Sequence, residues 1–303
     1  MNSFQTPIST HALPIILSGL ANIFLGLSSL YWRSLSDVSP ITLIAYRIFL
    51  STAILAVFVC IFRKISQIKK ITKNSIGLHC IASLLIAANW GTFIWASINE
   101  NFLESGLGYL IAPFFCIAIG LVIYHEKISP QKAVTLLITF SSIIALIISS
   151  KNLNHFTYLM ISGTWGAYIY IKKYTSLDAV SGLFIETLFL ALCLTLAKLV
   201  FSIPIMYPNE LDNPSNILIF LAGAVSTTPL LMLSYSAGKI PLSLTGLIQF
   251  ILPITLISIS IYTQKQQISD APLAPTFIII GILIILGIYD TANNQSAKKR
   301  ANK

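Results

Sequence analysis

Long apolar runs follow one another along the whole chain, separated only by short polar breaks. A helical crossing of a hydrocarbon core of about 30 Å takes about 20 apolar residues. Ten runs have that length, roughly 12–32, 41–62, 76–98, 103–124, 130–149, 155–173, 180–203, 215–236, 242–263 and 272–290. The sixth is short and rich in Thr, Trp and Tyr. The breaks between runs are too short to hold a soluble domain. The residues before the first run carry no Lys or Arg, and that run is long enough to span. It reads as a retained helix rather than a cleavable signal.

The pattern also repeats. Gly106, Leu107, Ile111 and Pro113 recur 140 residues later as Gly246, Leu247, Ile251 and Pro253, and Ser129 recurs as Ser269. The chain therefore reads as one five-helix unit used twice, over 12–149 and 155–290, with a basic tail at 291–303. Five is odd, so the second copy enters the membrane inverted relative to the first, an arrangement typical of secondary transporters. Ser39-Pro40 opens the second run, and Asp178-Ala179 stands at the corresponding place before the seventh. Pro113 and Pro253 fall in mid-run, where proline removes a helical hydrogen bond that hydrocarbon cannot replace. Two readings are open for them: hinges, or static packing kinks.

Composition sharpens the class. Hydrophobic residues make up 55% of the 303 and charged residues 10%, against about 25% charged in soluble domains. The net charge of +9 would suit nucleic acid, but its distribution does not. With the N-terminus inside, fourteen Lys and Arg fall in cytoplasmic segments, five of them between Arg63 and Lys73. Only Arg33, Lys151 and Lys265 fall in outer loops. This is the positive-inside bias, and it puts both termini in the cytoplasm. Ile65, Ile68 and Ile71 in the basic cluster suit either a short amphipathic turn on the leaflet or a plain loop. The four cysteines lie inside predicted spans without metal or redox spacing. Neither a metal nor a cofactor is expected.

Two charges stand inside spans, where each costs about 2.5–3.5 kcal/mol on the insertion scale. They are Arg47 in the second run and Glu186 in the seventh, 139 residues apart and so nearly repeat-equivalent. Each lies about 9 Å into its run at about 1.5 Å per residue. The runs enter from opposite sides, so the charges differ in depth by roughly 12 Å across a core of about 30 Å. Two separate polar posts bracketing a central cavity are expected. Glu186 suits either a coupling proton or a cationic substrate group. Asn89, Trp90, Trp95, Tyr109, Trp165, Tyr235 and Gln249 form a polar-aromatic set that suits substrate contact, with interfacial belts as the alternative for the rings. Tyr109 and Gln249 are repeat equivalents. Trp32 reads as interfacial, and so do His11, His79, His125 and His155. Lys198 reads as a snorkelling lysine.

Several stretches then resemble a known group. Asn89-Trp90-Gly91-Thr92-Phe93-Ile94-Trp95-Ala96, Leu103 to Pro113, Tyr46-Arg47-Ile48, Ile185-Glu186-Thr187 and Thr227-Thr228-Pro229-Leu230 are similar to the RarD branch of the EamA-type drug/metabolite transporters. The resemblance implies an all-α membrane protein of ten transmembrane helices in two inverted repeats, working by alternating access. It also implies that Arg47, Glu104 and Glu186 are residues typical of the branch. Relatives across the superfamily move amino acids, nucleotide-type metabolites, S-adenosylmethionine and drugs. The chain departs from the pattern at His125-Glu126-Lys127 and at Lys265-Gln266-Gln267. The expectation is a permease for a small polar or amphipathic metabolite or drug. A channel and an integral-membrane enzyme are the alternatives, the latter lacking any recognisable catalytic motif.

Overall fold

The computed structural model describes residues 12–123, 130–149, 153–172, 174–175, 177–236, 239, 248–264 and 281. All regular structure among them is helical: α1 (Ala12–Arg33), α2 (Pro40–Ile61), α3 (Ile65–Lys69), α4 (Lys73–Ile98), α5 (Phe102–Ile123), α6 (Pro130–Ser149), α7 (His155–Lys172), α8 (Ala179–Phe201), α9 (Ser215–Leu218), α10 (Ala222–Ser236) and α11 (Ile251–Gln264). A 3₁₀ turn at Ile219–Leu221 joins α9 to α10, and together they fill the eighth apolar run. The first eight runs thus coincide with helices to within a few residues. Gly246, Lys151, Lys173, Lys265, His11, His125, the Glu126-Lys127 pair and the 291–303 tail lie outside the described residues, as does the tenth run apart from helical Gly281.

Local chemistry sets the helix ends. Ser39 and Asp178, the equivalent positions in the two halves, cap α2 and α8 by accepting from the amides of Thr42 at 3.3 Å and Ser181 at 2.8 Å. Thr72 caps α4 in the same way. At the other ends, Arg63 (φ 52°) and Glu100 (φ 60°) take left-handed backbone after α2 and α4. The next amides reach back five residues, Lys64 to the Val59 carbonyl and Asn101 to the Ala96 carbonyl, so two otherwise orphaned carbonyls are satisfied.

The outer surface is apolar. Ile148, Leu199 and Phe201 are each at least 75% exposed, and among the described residues five helices are long and apolar enough to cross a bilayer. A rim of that kind is stable against lipid tails and not against water. The chain is an all-α, multi-pass membrane protein.

The packing has an internal regularity. Exchange α1 with α7, α2 with α8, α4 with α10 and α5 with α11. The contact of α5 with α7 then maps onto that of α11 with α1, α4 with α7 onto α10 with α1, and α2 with α10 onto α8 with α4. The contacts of α2 with α8 and of α5 with α11 map onto themselves. Gly106 makes the last of these possible. A Cβ there would stand 2.7 Å from Ile257 Cγ1 and 3.3 Å from the Pro253 carbonyl oxygen. The glycine echoed in the sequence thus packs on the proline echoed in the sequence, one from each half.

The two prolines differ in setting. Pro113 lies inside α5, so the Tyr109 carbonyl loses its helical donor. Pro253 is the third residue of α11, after a turn at Gln249 and Phe250. In a first turn the missing N–H has no intrahelical partner to lose. The expectation of two equivalent mid-helix prolines therefore holds for Pro113 alone.

Candidate functional site

Helices from both halves enclose a small cavity lined by residues that include Asn22, Trp32, Arg47, Asn89, Trp90, Tyr109, Trp165, Ser226 and Gln249. It leaves about 50 Å³ for the centres of water-sized molecules, room for a few waters. Of the expected site residues, Arg47, Asn89, Trp90, Tyr109, Trp165 and Gln249 come together here. Tyr109 and Gln249, repeat equivalents in the sequence, both line it.

Arg47 is the only charged residue among those lining the cavity, and it is 3% exposed. Its guanidinium carbon lies 4.1 Å from the Trp90 ring centre and 5.5 Å from that of Trp32. Ring faces carry partial negative charge and hold a desolvated cation by about 2 kcal/mol or more. Rings cannot accept in-plane N–H bonds, and Arg47 Nε has no acceptor among the described residues. Trp32 is fully buried, not interfacial as its position in the sequence suggests. It is held by an apolar cluster that includes Leu35, Val38 and Leu43, and it serves as one wall for Arg47.

The rest of the lining is held by its own bonds. Asn89 donates to the Ile161 carbonyl and to Thr164 Oγ1, both at 3.1 Å, and accepts from the Tyr109 hydroxyl at 2.9 Å. One amide thus ties α4 to α7 and orients the phenol on α5. The Tyr109 ring meets Trp165 edge-on at 6.0 Å. Trp95 and Tyr235 stay outside. Each lies two residues beyond a lining residue (Phe93 and Leu233), about 200° round a helix of 3.6 residues per turn. Tyr235 is 45% exposed and stands under the Lys239 ammonium at 3.1 Å.

Glu186 forms a second centre, apart from the cavity. It is fully buried. His79 Nδ1 lies 2.7 Å from its Oε1, Lys172 donates to the same oxygen at 2.8 Å, and Tyr168 donates to Oε2 at 3.0 Å. The expectation that His79 is interfacial is overturned, and Lys172, one of the fourteen cations assigned to cytoplasmic segments, turns inward. The carboxylate inside α8 draws both inward, because a buried charge needs donors and a counter-ion. Gly182 leaves them room, since a Cβ there would stand 2.8 Å from Lys172 Nζ. No sequence motif marks this cluster. Its only signal was an unexplained acid in a span.

The two centres are separate, as depth alone suggested. His79 and Asn89 are ten residues apart on α4, about 15 Å along the axis, with Ala82 and Ile86 buried between them. On α7 the two centres nearly touch. Trp165 faces the cavity, Tyr168 faces Glu186, and their rings stack at 5.6 Å with an interplanar angle of 25°.

Ion pairs stand at both ends of the bundle. Lys64 meets Asp178 at 2.6 Å near the N-terminus of α8, and Arg33 meets Glu100 at 2.6 Å beyond the C-terminus of α4. Burial raises the Asp178 pKa, but hydrogen bonds from Lys64 and Ser181 and the Lys64 charge outweigh it and leave the carboxyl below its usual value. Glu104 is buried in the first turn of α5 and accepts from the Asn154 amide at 3.3 Å, which anchors the start of α7. Lys198 reaches Tyr207, its ammonium 3.0 Å from the hydroxyl.

No protein-family model matches the chain. It is 30% identical over 297 residues to the uncharacterized transporter YojE of Bacillus subtilis, across 95% of this chain and 96% of that one. It is 26% identical over 289 residues to the RarD protein of Escherichia coli K12, across 92% and 95% of the two chains. A protein known from its crystal structure shares the fold, with a TM-score of 0.57 at 14% identity over 92% of this chain and 96% of that one. Similarity of this length and level, spread over both halves and carried by an all-helical fold, means that the chain belongs to the RarD family of transporters.

Proposed function

We propose that the protein is a secondary transporter. It moves a small polar or amphipathic metabolite or drug across the bacterial inner membrane by alternating access. The substrate site is the cavity at Arg47, with Asn89, Trp90, Tyr109, Trp165 and Gln249 around the cargo. One observation carries this reading: a buried guanidinium, with no acid beside it among the described residues, faces a cavity between helices of the two halves. A purely structural charge in a membrane interior is normally paired. The space holds only a few waters, so cargo enters when the bundle opens.

The packing symmetry supports two five-helix repeats, 12–149 and 155–290, related as inverted copies. The ion pairs at the two ends supply contacts that can part in turn. Pro113 and the turn before Pro253 supply bends beside the cavity, with both termini cytoplasmic. Amino acids, nucleotide-type metabolites, S-adenosylmethionine and drugs are the cargo classes to screen.

Glu186 serves the coupling proton rather than the cargo. A proton taken up by the cluster of Glu186, His79, Lys172 and Tyr168 changes its charge. The Trp165–Tyr168 stack is the link through which that change reaches the cavity.

Reconstituted vesicles test the whole reading. Saturable, competable uptake that is lost in Arg47→Gln is expected. Non-saturating conductance would replace the carrier with a channel.

A further inference from the structure

We infer that the Arg47 cavity takes a monoanionic carboxylate borne on a small apolar body. This rests on the reading of that cavity as the cargo site, and names the cargo's chemistry.

The argument is one of charge balance in a place where water does not supply it. Arg47 is buried, and among the described residues its Nε has no acceptor and no Asp or Glu lines the cavity. The nearly repeat-equivalent acid, Glu186, is held by Lys172, His79 and Tyr168. Of the side-chain amides that line it, Asn89 is engaged with Tyr109, Ile161 and Thr164, the Asn22 amide donates to the Ser18 carbonyl, and Gln249 is neutral and brings no charge. What the cavity lacks is therefore an acceptor that carries negative charge.

That requirement excludes the alternatives in turn. A cationic cargo would meet like charge. A neutral one would leave the guanidinium uncompensated. A phosphate dianion would bring more charge than the single cation of the lining can balance. A carboxylate matches it one for one and fits the planar donor fork with two parallel bonds. Trp90 and Trp32 attract the guanidinium through their ring faces and supply no carbonyl or carboxylate oxygen to its N–H groups, which leaves those donors for a ligand. Phe93, Leu230 and Leu252 on the remaining wall suit an apolar body and offer nothing to an ammonium.

The test is a titration of the purified full chain in lipid nanodiscs with phenylacetate, phenylacetamide and phenethylamine. These share a ring and differ in charge. Three of the four tryptophans line the cavity, so tryptophan fluorescence reads occupancy. The acid should bind about tenfold or more tightly than the amide, and the amine more weakly than either. Arg47→Gln should erase the gap between acid and amide. Arg47→Lys, which keeps the charge without the fork, should retain part of it. The inference is overturned if the amide or amine binds as well as the acid, if the acid does not bind, or if the gap survives in Arg47→Gln. Flux of the same compounds in vesicles separates this from the carrier reading. Transport of the amine without the acid sinks the carboxylate and leaves the carrier. Arg47-dependent binding of the acid with no flux of any solute leaves the site and sinks the carrier.

Discussion

Arg47 and Glu186 are the eighth residues of α2 and α8, and both are buried. Their surroundings differ in kind. Glu186 has three side-chain partners from two other helices, including a full counter-ion, while Arg47 has two ring faces and no acid. One half of the molecule has used its membrane-embedded charge to hold helices together. The other has left its charge facing a space. The contrast teaches where to look for the cargo: at the charge whose partner is missing, not at the charge already held by a counter-ion.

The contrast can be broken most directly by the matching pair of substitutions. Glu186→Gln leaves Lys172 without its counter-charge, and breaking a buried pair costs about 3–5 kcal/mol. Arg47→Gln removes a cation that has no acid to strand, so its cation–π loss of about 2 kcal/mol is offset by the relief of an unpaired buried charge. Thermal unfolding in detergent should therefore show a large drop for Glu186→Gln and little change for Arg47→Gln, while transport is lost in both. Equal drops would mean that both charges are structural.

Gly106→Leu probes the seam between the halves rather than either charge. Its side chain would meet Ile257 and the Pro253 carbonyl, and overpacking of this kind costs about 1–3 kcal/mol. An unchanged melting temperature would mean that α5 and α11 do not pack this closely.

Trp165→Leu sharpens the relation between the centres. It removes one ring of the stack with Tyr168, a pair worth about 0.5–1.5 kcal/mol. Stability should fall slightly. The pH dependence of uptake should flatten as it does in His79→Gln, which removes the titratable ring from the Glu186 cluster. A full pH response in Trp165→Leu would uncouple the two centres.

The smallest effect is expected at the ends of the bundle. The Lys64–Asp178 pair is about one-third exposed, and surface pairs contribute about 0–1 kcal/mol. Asp178 has its pKa depressed in the folded state below the ordinary value of 3.8. Its contribution is present above that value and fades as pH falls through the lower folded value. Asp178→Asn should therefore leave the melting temperature almost unchanged at neutral pH and reduce its loss below about pH 4. A large drop at neutral pH would make this pair part of the core.

The sequence by itself determined the helices and their ends. Apolar runs of bilayer length leave the backbone one local solution, since every N–H and C=O in lipid must be satisfied within its own helix. Ser39 and Asp178 cap through amides three residues away, so they too were legible. Depth arithmetic along single helices kept Arg47 and Glu186 apart, because rise per residue is a local constant. Only the tertiary structure decided which partners each charge has. His79 and Lys172 lie on helices distant in sequence from each other, and nothing in their spacing to Glu186 announces a cluster. Trp32 looked interfacial for the same reason, and Trp95 and Tyr235 looked central until helix rotation turned them away from the cavity. Periodicity reports what a segment buries. Which side chain it buries against is set by how the helices cross, and that is decided by the packing of the whole bundle.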